Sequence, residues 1–128
     1  MMPNEIQFVL YNIDKEDVNV KVAIKDDTIW VTQRGMAELF DCSADNISLH
    51  LKNIYQDGEL QESATAEDFS VVQNEGSRQV SRNIKFYNLD AIISVGYRVN
   101  SRRATQFRIW ATNVLREFIQ KGFVLDDD

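Results

Sequence analysis

The order of apolar and polar residues changes character several times along this chain of 128 residues. In the first part, runs rich in β-branched and aromatic residues alternate with polar positions, as in Val18–Ile24, which is typical of strands. Lys25–Asp27 separates two of these runs and has the composition of a hairpin turn. We therefore predict a small antiparallel sheet over residues 1–31.

Helical spacing replaces this alternation over residues 32–54. Thr32 is suited to cap a first helix, and Asp41–Ser43 interrupts the pattern before a second helix begins. The apolar residues that define the two helical faces are Met36, Leu39, Phe40, Ile47, Leu51 and Ile54. Two short helices joined by a break of this length predict a helix-turn-helix.

The second half of the chain predicts a hairpin and two more helices. Asn74–Ser77 is a turn signal between two strand-like runs, so residues 69–87 are predicted to form a wing. Residues 88–122 are predicted to form a pair of helices, capped by Asn88 and Ser101 and ended by Gly122. Their predicted apolar faces are Leu89, Ile92, Ile93, Gly96 and Tyr97, then Phe107, Trp110, Ala111, Val114, Leu115 and Phe118.

Together these elements predict one α+β domain over residues 1–128 with a winged-helix-like arrangement. The length suits a single domain. The chain has one cysteine and therefore no internal disulfide, which favours a cytoplasmic location. It contains no apolar run long enough to span a membrane and no secretory signal pattern at its amino terminus, so no membrane partner is expected.

The net charge of −6 is divided unevenly along the chain. Residues 1–75 contain five Lys or Arg and fifteen Asp or Glu, whereas residues 76–121 contain nine Lys or Arg and two acidic residues. The basic segment indicates a local contact with a polyanion, although some of its side chains are expected to pair with the acidic first half. The overall acidity therefore does not exclude a nucleic-acid partner.

The strongest candidate chemistry lies in the predicted helix-turn-helix. Ala37, Asp41 and Ile47 stand where such a motif needs a small residue, a turn residue and an apolar anchor. The second helix would enter the major groove of double-stranded DNA. Its candidates for contacts with base edges are Ser43, Asn46, Ser48, Leu49 and Lys52. This helix is poor in arginine, and Asp45 would repel phosphate, so two amphipathic helices of an ordinary core remain an alternative.

The basic segment supplies candidates for contacts with DNA phosphates, because a guanidinium pairs well with phosphate oxygens. These candidates are Arg78, Arg82, Lys85, Arg98, Arg102 and Arg103. No constellation points to catalysis, a metal site or a cofactor, and we expect none of the three. His50 is the single histidine, and Cys42 has no partner in a metal-binding spacing. The sequence also lacks the glycine-rich loops that hold phosphates in nucleotide-binding enzymes.

Two blocks of the sequence resemble a known family. They are IWVTQRGMAELFDCSADNISLHLKNIYQDGEL, over 29–60, and KFYNLDAIISVGYRVNSRRATQFRIWATNVLREFIQKGFVLDDD, over 85–128. Both resemble the amino-terminal part of the RhuM family of bacterial virulence-associated proteins, whose layout is similar to phage antirepressor and KilA-type amino-terminal domains. That resemblance implies DNA binding, and it implies that the chain is the amino-terminal part of a longer protein. Some relatives have a basic residue where this chain has Ala44.

The expected function is DNA binding within a bacterial regulatory, virulence-associated or phage-derived protein. The alternative is a protein-interaction module, such as an antirepressor or a toxin-associated adaptor, without direct DNA binding. A homodimer or a protein partner is compatible with either function. An enzyme is not expected.

Overall fold

The computed structural model describes the backbone of residues 4–13, 16–26 and 28–125, and the side chains of residues 20, 22–26 and 28–113. Its strands are β1 (Asn4–Ile13), β2 (Glu16–Lys25), β3 (Thr28–Thr32), β4 (Ala66–Glu75) and β5 (Arg78–Asn88). Its helices are α1 (Gln33–Phe40), α2 (Ala44–Gln56), α3 (Glu62–Thr65), α4 (Leu89–Arg98) and α5 (Arg102–Leu125). The chain therefore has the mixed α+β architecture that the sequence predicts.

All five strands belong to one antiparallel sheet with the order β1-β2-β3-β5-β4. The expected amino-terminal sheet and the expected hairpin are thus parts of a single sheet. They are joined through β3, whose residue Val31 lies opposite Tyr87 of β5. The turn between β2 and β3 contains Asp26 in a left-handed conformation, with φ 55°. The turn between β4 and β5 contains Gly76 at φ 65°, which favours glycine.

One face of the sheet is covered by helices and carries the main core. Val31 and Tyr87 point to this face, where they pack with the buried residues of α1, α2, α4 and the first turns of α5. The main core also contains Val20, Val22, Met36, Leu39, Phe40, Ile47, Leu51, Ile54, Ala91, Ile92, Val95, Val99, Ala104 and Phe107. The opposite face of the sheet carries a smaller apolar cluster of Ala23, Trp30, Phe69 and Phe86.

The carboxy-terminal helices differ from the prediction in three respects. The predicted apolar face of α4 is divided, because Ile92 and Gly96 are buried whereas Leu89, Ile93 and Tyr97 are exposed. Trp110, predicted to be a core residue, is 38% exposed. Helix α5 continues through Gly122 to Leu125, so Gly122 does not end it. The predicted core positions of Val114, Leu115 and Phe118 lie outside the described side chains.

Candidate nucleic-acid interface

Helices α1 and α2 are joined by a tight turn whose geometry follows from three polar residues. The hydroxyl of Thr32 accepts a hydrogen bond from the backbone N–H of Gly35 (3.0 Å) and so caps α1. Asp41 ends α1 in the left-handed conformation, with φ 53°. The hydroxyl of Ser43 accepts from the backbone N–H of Asn46 (3.0 Å) and caps α2. The predicted cap Thr32 and the predicted turn residue Asp41 are confirmed, and the cap Ser43 is an addition from the structure.

Helix α2 is anchored on one side and exposed on the other. Its buried residues are Ile47, Leu51 and Ile54, which the spacing predicts. All the predicted base-contact candidates are exposed, and they are Ser43, Asn46, Ser48, Leu49 and Lys52. Leu49 is 57% exposed, on the side of α2 that faces away from the core. Asp45 lies in the first turn of α2, where a carboxylate interacts favourably with the helix dipole.

A cleft of about 290 Å³ separates the exposed side of α2 from the root of the β4–β5 hairpin. It is lined by Gln33, Ser48, Leu51, Lys52, Tyr55, Glu62 and Tyr87. The Gln33 amide donates to the carbonyl oxygen of Ala44 (2.9 Å), which fixes the start of α1 beside the start of α2. The cleft places two base-contact candidates, Ser48 and Lys52, beside strand β5.

The walls of this cleft are held in place by hydrogen bonds around Tyr55. Its hydroxyl lies 2.9 Å from the hydroxyl of Thr65, which donates to the carbonyl oxygen of Gln61 (2.8 Å). Burial raises the pKa of both Tyr55 and Tyr87 above the ordinary value for tyrosine, because the charged phenolate would be poorly solvated. Both phenols are therefore neutral hydrogen-bonding groups near pH 7.

Lys85 and Arg98, two of the predicted phosphate contacts, already pair with carboxylates that follow α2. Lys85 Nζ lies 3.0 Å from Glu62 Oε2. Arg98 lies 2.9 Å from Glu59 Oε1 and 3.3 Å from Asp57 Oδ2. Hydrogen bonds to these carboxylates raise the pKa of both cations above their ordinary values. The expected pairing of the basic segment with the acidic first half is thus confirmed for these two residues.

Arg98 lies at the carboxyl end of α2, because its partner Asp57 is the residue that ends this helix. The base-contact candidates begin at the opposite end of α2. A helix of this length is about 20 Å long, so Arg98 does not lie beside Ser43 and Asn46. His50, which is half-buried, has a lowered pKa because of burial and then because of the positive charge of Arg98.

Arg78 and Arg82 lie on the hairpin, but on the face turned away from the helices. Side chains alternate between the two faces of a strand. Tyr87 points to the helix-covered face, so Phe86 and Arg82 point to the other face. There Arg82 forms two hydrogen bonds with Glu75, at 2.6 and 2.8 Å. The structure therefore does not bring Arg78 and Arg82 to the same face as Lys85.

Arg102 and Arg103 lie beside the α1–α2 turn. Arg103 donates to the carbonyl oxygen of Glu38 (2.7 Å), in the last turns of α1. Ser101, which precedes both arginines, donates to the carbonyl oxygen of Phe40 (2.6 Å) and caps α5 by accepting from the backbone N–H of Ala104 (3.0 Å). The start of α5 therefore lies against the last turn of α1, just before the turn that leads into α2.

Sequence reasoning missed Gln33 and Arg34, at the start of α1, which lie at grooves on the two sides of the hairpin. Gln33 lines the cleft beside α2, and Arg34 is exposed at the edge of a groove of about 500 Å³ on the other side of the hairpin. That groove is also lined by Thr32, Val71, Val72, Gln73, Ile84 and Phe86. The available signal was Thr32 itself, because a cap residue marks the two positions after it as the exposed start of a helix.

The remaining reactive side chain of note is Cys42, in the α1–α2 turn. It is half-buried, and burial followed by the negative charge of Asp41 raises the pKa of its thiol. A raised pKa reduces the thiolate fraction and with it the reactivity. Within the described part of the chain, no group of His, Cys, Asp or Glu is placed to hold a metal ion, and no helix is long and apolar enough to cross a membrane.

The exposed α2, the capped turn and the adjacent hairpin define a mixed α+β domain with a candidate nucleic-acid interface. Residues 64–128 match the Virulence protein RhuM family. Since this match covers half of the chain, the protein belongs to the RhuM family. The match includes the hairpin, α4 and α5, whereas the resembling block over 29–60 lies outside it. Comparisons with curated proteins and with solved structures gave no match.

Proposed function

We propose that this chain is a DNA-binding domain of a bacterial regulatory, virulence-associated or phage-derived protein. The observation that carries the proposal is the exposure of α2. Its outward side presents Asn46, Ser48 and Lys52, whose side chains hydrogen-bond to base edges and phosphates in protein–DNA complexes. Its inner side is fixed to the core through Ile47 and Leu51, so α2 is presented to a partner as a rigid element.

The order of the elements around α2 supports a winged-helix version of this function. The chain runs from β3 through α1 and α2 to β4 and β5, and β5 pairs with both β3 and β4. In a winged helix the second helix of the pair lies in the major groove while the hairpin contacts the neighbouring backbone. We assign these roles to α2 and to the β4–β5 hairpin.

The phosphate contacts are assigned by position relative to α2. Arg103 contacts the last turn of α1, just before the turn to α2, and Arg102 precedes it in the chain. Lys52 lines the cleft beside α2, and Lys85 pairs with Glu62 in the lining of that cleft. The ion pair of Lys85 with Glu62 is exposed, and exposed ion pairs contribute little free energy, so a phosphate can replace the carboxylate. We leave Arg78, Arg82 and Arg98 out of the interface, because they lie on the far face of the hairpin or at the carboxyl end of α2.

A salt titration tests this assignment. Binding of the chain to a fluorescein-labelled duplex is followed by fluorescence anisotropy at several KCl concentrations from about 50 mM upward. The variant Arg102→Ala with Arg103→Ala should bind all duplexes more weakly, and the slope of log affinity against log salt should fall by up to about 2. Arg78→Ala with Arg82→Ala is the matched control, because it removes the same charge from the far face of the hairpin.

The control variant should keep the affinity and the slope of the wild-type chain. Equal losses in the two double variants would overturn the assignment of Arg102 and Arg103. If the wild-type chain binds no duplex at about 50 mM KCl, where nonspecific electrostatic binding is strong, the proposed function itself is wrong.

A second candidate function is a protein-interaction module of the antirepressor or adaptor type. It is favoured by the exposed apolar side chains of α4, where Leu89, Ile93 and Tyr97 recur at helical spacing and are 41%, 36% and 53% exposed. This function predicts a dimer or a heterocomplex in analytical ultracentrifugation and no binding to duplex DNA. Ile93→Lys should then disrupt the association without affecting the fold.

A further inference from the structure

The two faces of the β4–β5 hairpin differ in chemistry. Ser70 lies opposite Asn83, Val72 opposite Ser81 and Asn74 opposite Gln79. By strand alternation these six residues share a face with Tyr87, and all six are exposed. We call them the neutral hairpin face, because none of them carries a charge.

The opposite face of the hairpin carries charged residues toward its tip and apolar residues toward its root. Arg78 and Arg82 lie on it together with Glu75, the partner of Arg82. Near the root of the hairpin the same face continues into the buried residues Phe69 and Phe86. The arginines of this strand are therefore directed away from the helix-covered side.

The neutral hairpin face continues from the cleft beside α2. Tyr87 lines this cleft together with Ser48 and Lys52 of α2. Moving from Tyr87 toward the tip of β5, the residues on the same face are Lys85 and then Asn83. A single surface thus runs from the exposed side of α2, across the cleft and onto the neutral hairpin face.

The chemistry of this face suits a phosphate backbone. Amide and hydroxyl groups of Ser, Asn and Gln donate to phosphate oxygens, and they carry no charge that repels the backbone. Ser70 and Ser81 lie 2.9 Å apart across the strands, so their hydroxyls form a pair in which one hydroxyl donates to the other. The nearest charges toward the root are Asp68 and Lys85, which lie opposite each other.

We infer that the neutral hairpin face is a second contact surface for the sugar–phosphate backbone of duplex DNA. The inference rests on the proposed function and assigns further binding residues to it, with Ser81 and Asn83 at the centre of the contact. The hairpin then contributes affinity through neutral donors rather than through Arg78 and Arg82. Because neutral donors do not replace condensed counterions, their contribution does not steepen the salt dependence.

Two double variants of β5 that change the net charge by the same amount, on opposite faces of the strand, test this inference by fluorescence anisotropy. Ser81→Asp with Asn83→Asp and Arg78→Gln with Arg82→Gln each change the net charge by −2, on opposite faces of the same hairpin. The first variant should bind duplex DNA at least about tenfold more weakly than the second. Urea denaturation of both variants confirms that each is folded.

A variant without added charge distinguishes the loss of hydrogen-bond donors from the repulsion between the new carboxylates and the DNA phosphates. Ser81→Ala with Asn83→Ala should weaken binding by about three- to tenfold while the salt slope stays at its wild-type value. The inference is overturned if the wild-type chain binds duplex DNA and both neutral-face variants bind it as tightly as the wild-type chain does. It is also overturned if the arginine variant loses more affinity than the aspartate variant. A wild-type chain that binds no duplex would instead overturn the proposed function, and this inference with it.

Discussion

Gly96 of α4 and Phe107 of α5 approach so closely that a Cβ atom on Gly96 would lie 2.6 Å from two carbons of the Phe107 ring. The same ring packs edge-on against Phe40 of α1, with the ring centroids 5.1 Å apart. Phe40 directly precedes Asp41 in the turn to α2. The contact between Gly96 and Phe107 therefore helps to hold the end of α1, from which the turn leads into the exposed helix α2.

Replacing Gly96 by Ala should destabilise the fold. The added methyl group would displace the Phe107 ring, and the cost of this overpacking exceeds the gain in helix propensity, giving a net loss of about 1–2 kcal/mol. The midpoint of urea denaturation, followed by tryptophan fluorescence, measures the effect. Gly35→Ala is the control, because a Cβ there meets its nearest neighbours at 3.4 Å, and it should be neutral or stabilising by up to about 1 kcal/mol. A Gly96→Ala variant as stable as the control would contradict the prediction.

Asp41 adopts a left-handed conformation that glycine tolerates at lower cost. We expect Asp41→Gly to stabilise the chain by about 0.5–1 kcal/mol, since the relief of backbone strain exceeds the added entropy of the unfolded chain. Asp41→Val should destabilise it by about 1–2 kcal/mol, because a β-branched residue is strongly disfavoured at positive φ. Equilibrium denaturation of the three chains should order them Gly, Asp, Val, and any other order would show that the turn relaxes elsewhere.

Ser43 has a structural task that is separate from any contact with DNA. Its hydroxyl caps α2, so Ser43→Ala should cost about 1 kcal/mol of stability, whereas Ser43→Asp retains an acceptor and should cost little. Thermal unfolding followed by circular dichroism distinguishes the two variants. Equal melting temperatures for Ser43→Ala and the wild-type chain would show that the cap does not contribute to stability.

Glu59 should make stability depend on pH in the acid range. Hydrogen bonds from Ser94 and then Arg98 lower the pKa of Glu59 below its ordinary value of 4.5. The ionised carboxylate therefore stabilises the fold above about pH 4.5, and this stabilisation is lost as the pH falls through the lowered pKa. The effect is small, because the Glu59 side chain is 42% exposed.

The variant Glu59→Gln should accordingly lose less stability than the wild-type chain between about pH 5 and 3. Ser94→Ala removes the hydrogen bond that contributes most to the lowered pKa, so its acid loss should be intermediate. Urea midpoints measured across this range provide the comparison. Parallel curves for all three chains would show that the Glu59 contacts do not persist in solution.

Local features of the fold could be predicted from the sequence because each depends on residues a few positions apart. The predicted capping hydroxyl of Thr32 accepts a hydrogen bond from the backbone N–H three residues further on. The side chain of Asn88 likewise caps α4 by accepting from the backbone N–H of Ala91. Hairpin turns and amphipathic spacing are equally local, which is why α1, α2 and the β4–β5 hairpin were predicted in the correct places.

The distribution of charge at the candidate site could not be predicted in the same way. The ion pair of Lys85 with Glu62 joins residues 23 positions apart, and that of Arg98 with Glu59 joins residues 39 positions apart. Whether Arg82 and Lys85 share a face depends on the exact register and extent of β5, and they are an odd number of residues apart. A count of basic residues along the chain contains neither kind of information.

Close packing explains why the predicted apolar face of α4 was too wide. The residues of α4 that face the core are Ala91, Ile92, Val95 and Gly96, and Gly96 leaves the space that the Phe107 ring of α5 occupies. Ile93 and Tyr97 remain outside this contact. Helical spacing identifies an apolar arc, but the placement of the neighbouring elements decides which part of the arc is buried.

The pairing of β3 with β5 also sets the order in which the chain acquires its structure. Trp30 lies opposite Asn88, so this junction closes a loop of more than fifty residues, whereas the β4–β5 hairpin and the α1–α2 pair form from neighbouring segments. Closing long loops slows folding, because the chain loses entropy before the distant contact compensates for it. We therefore expect the hairpin and the helix pair to form early, as local units, and the β3–β5 junction to form after them, so that the two halves of the interface acquire their relative placement only once this junction has closed.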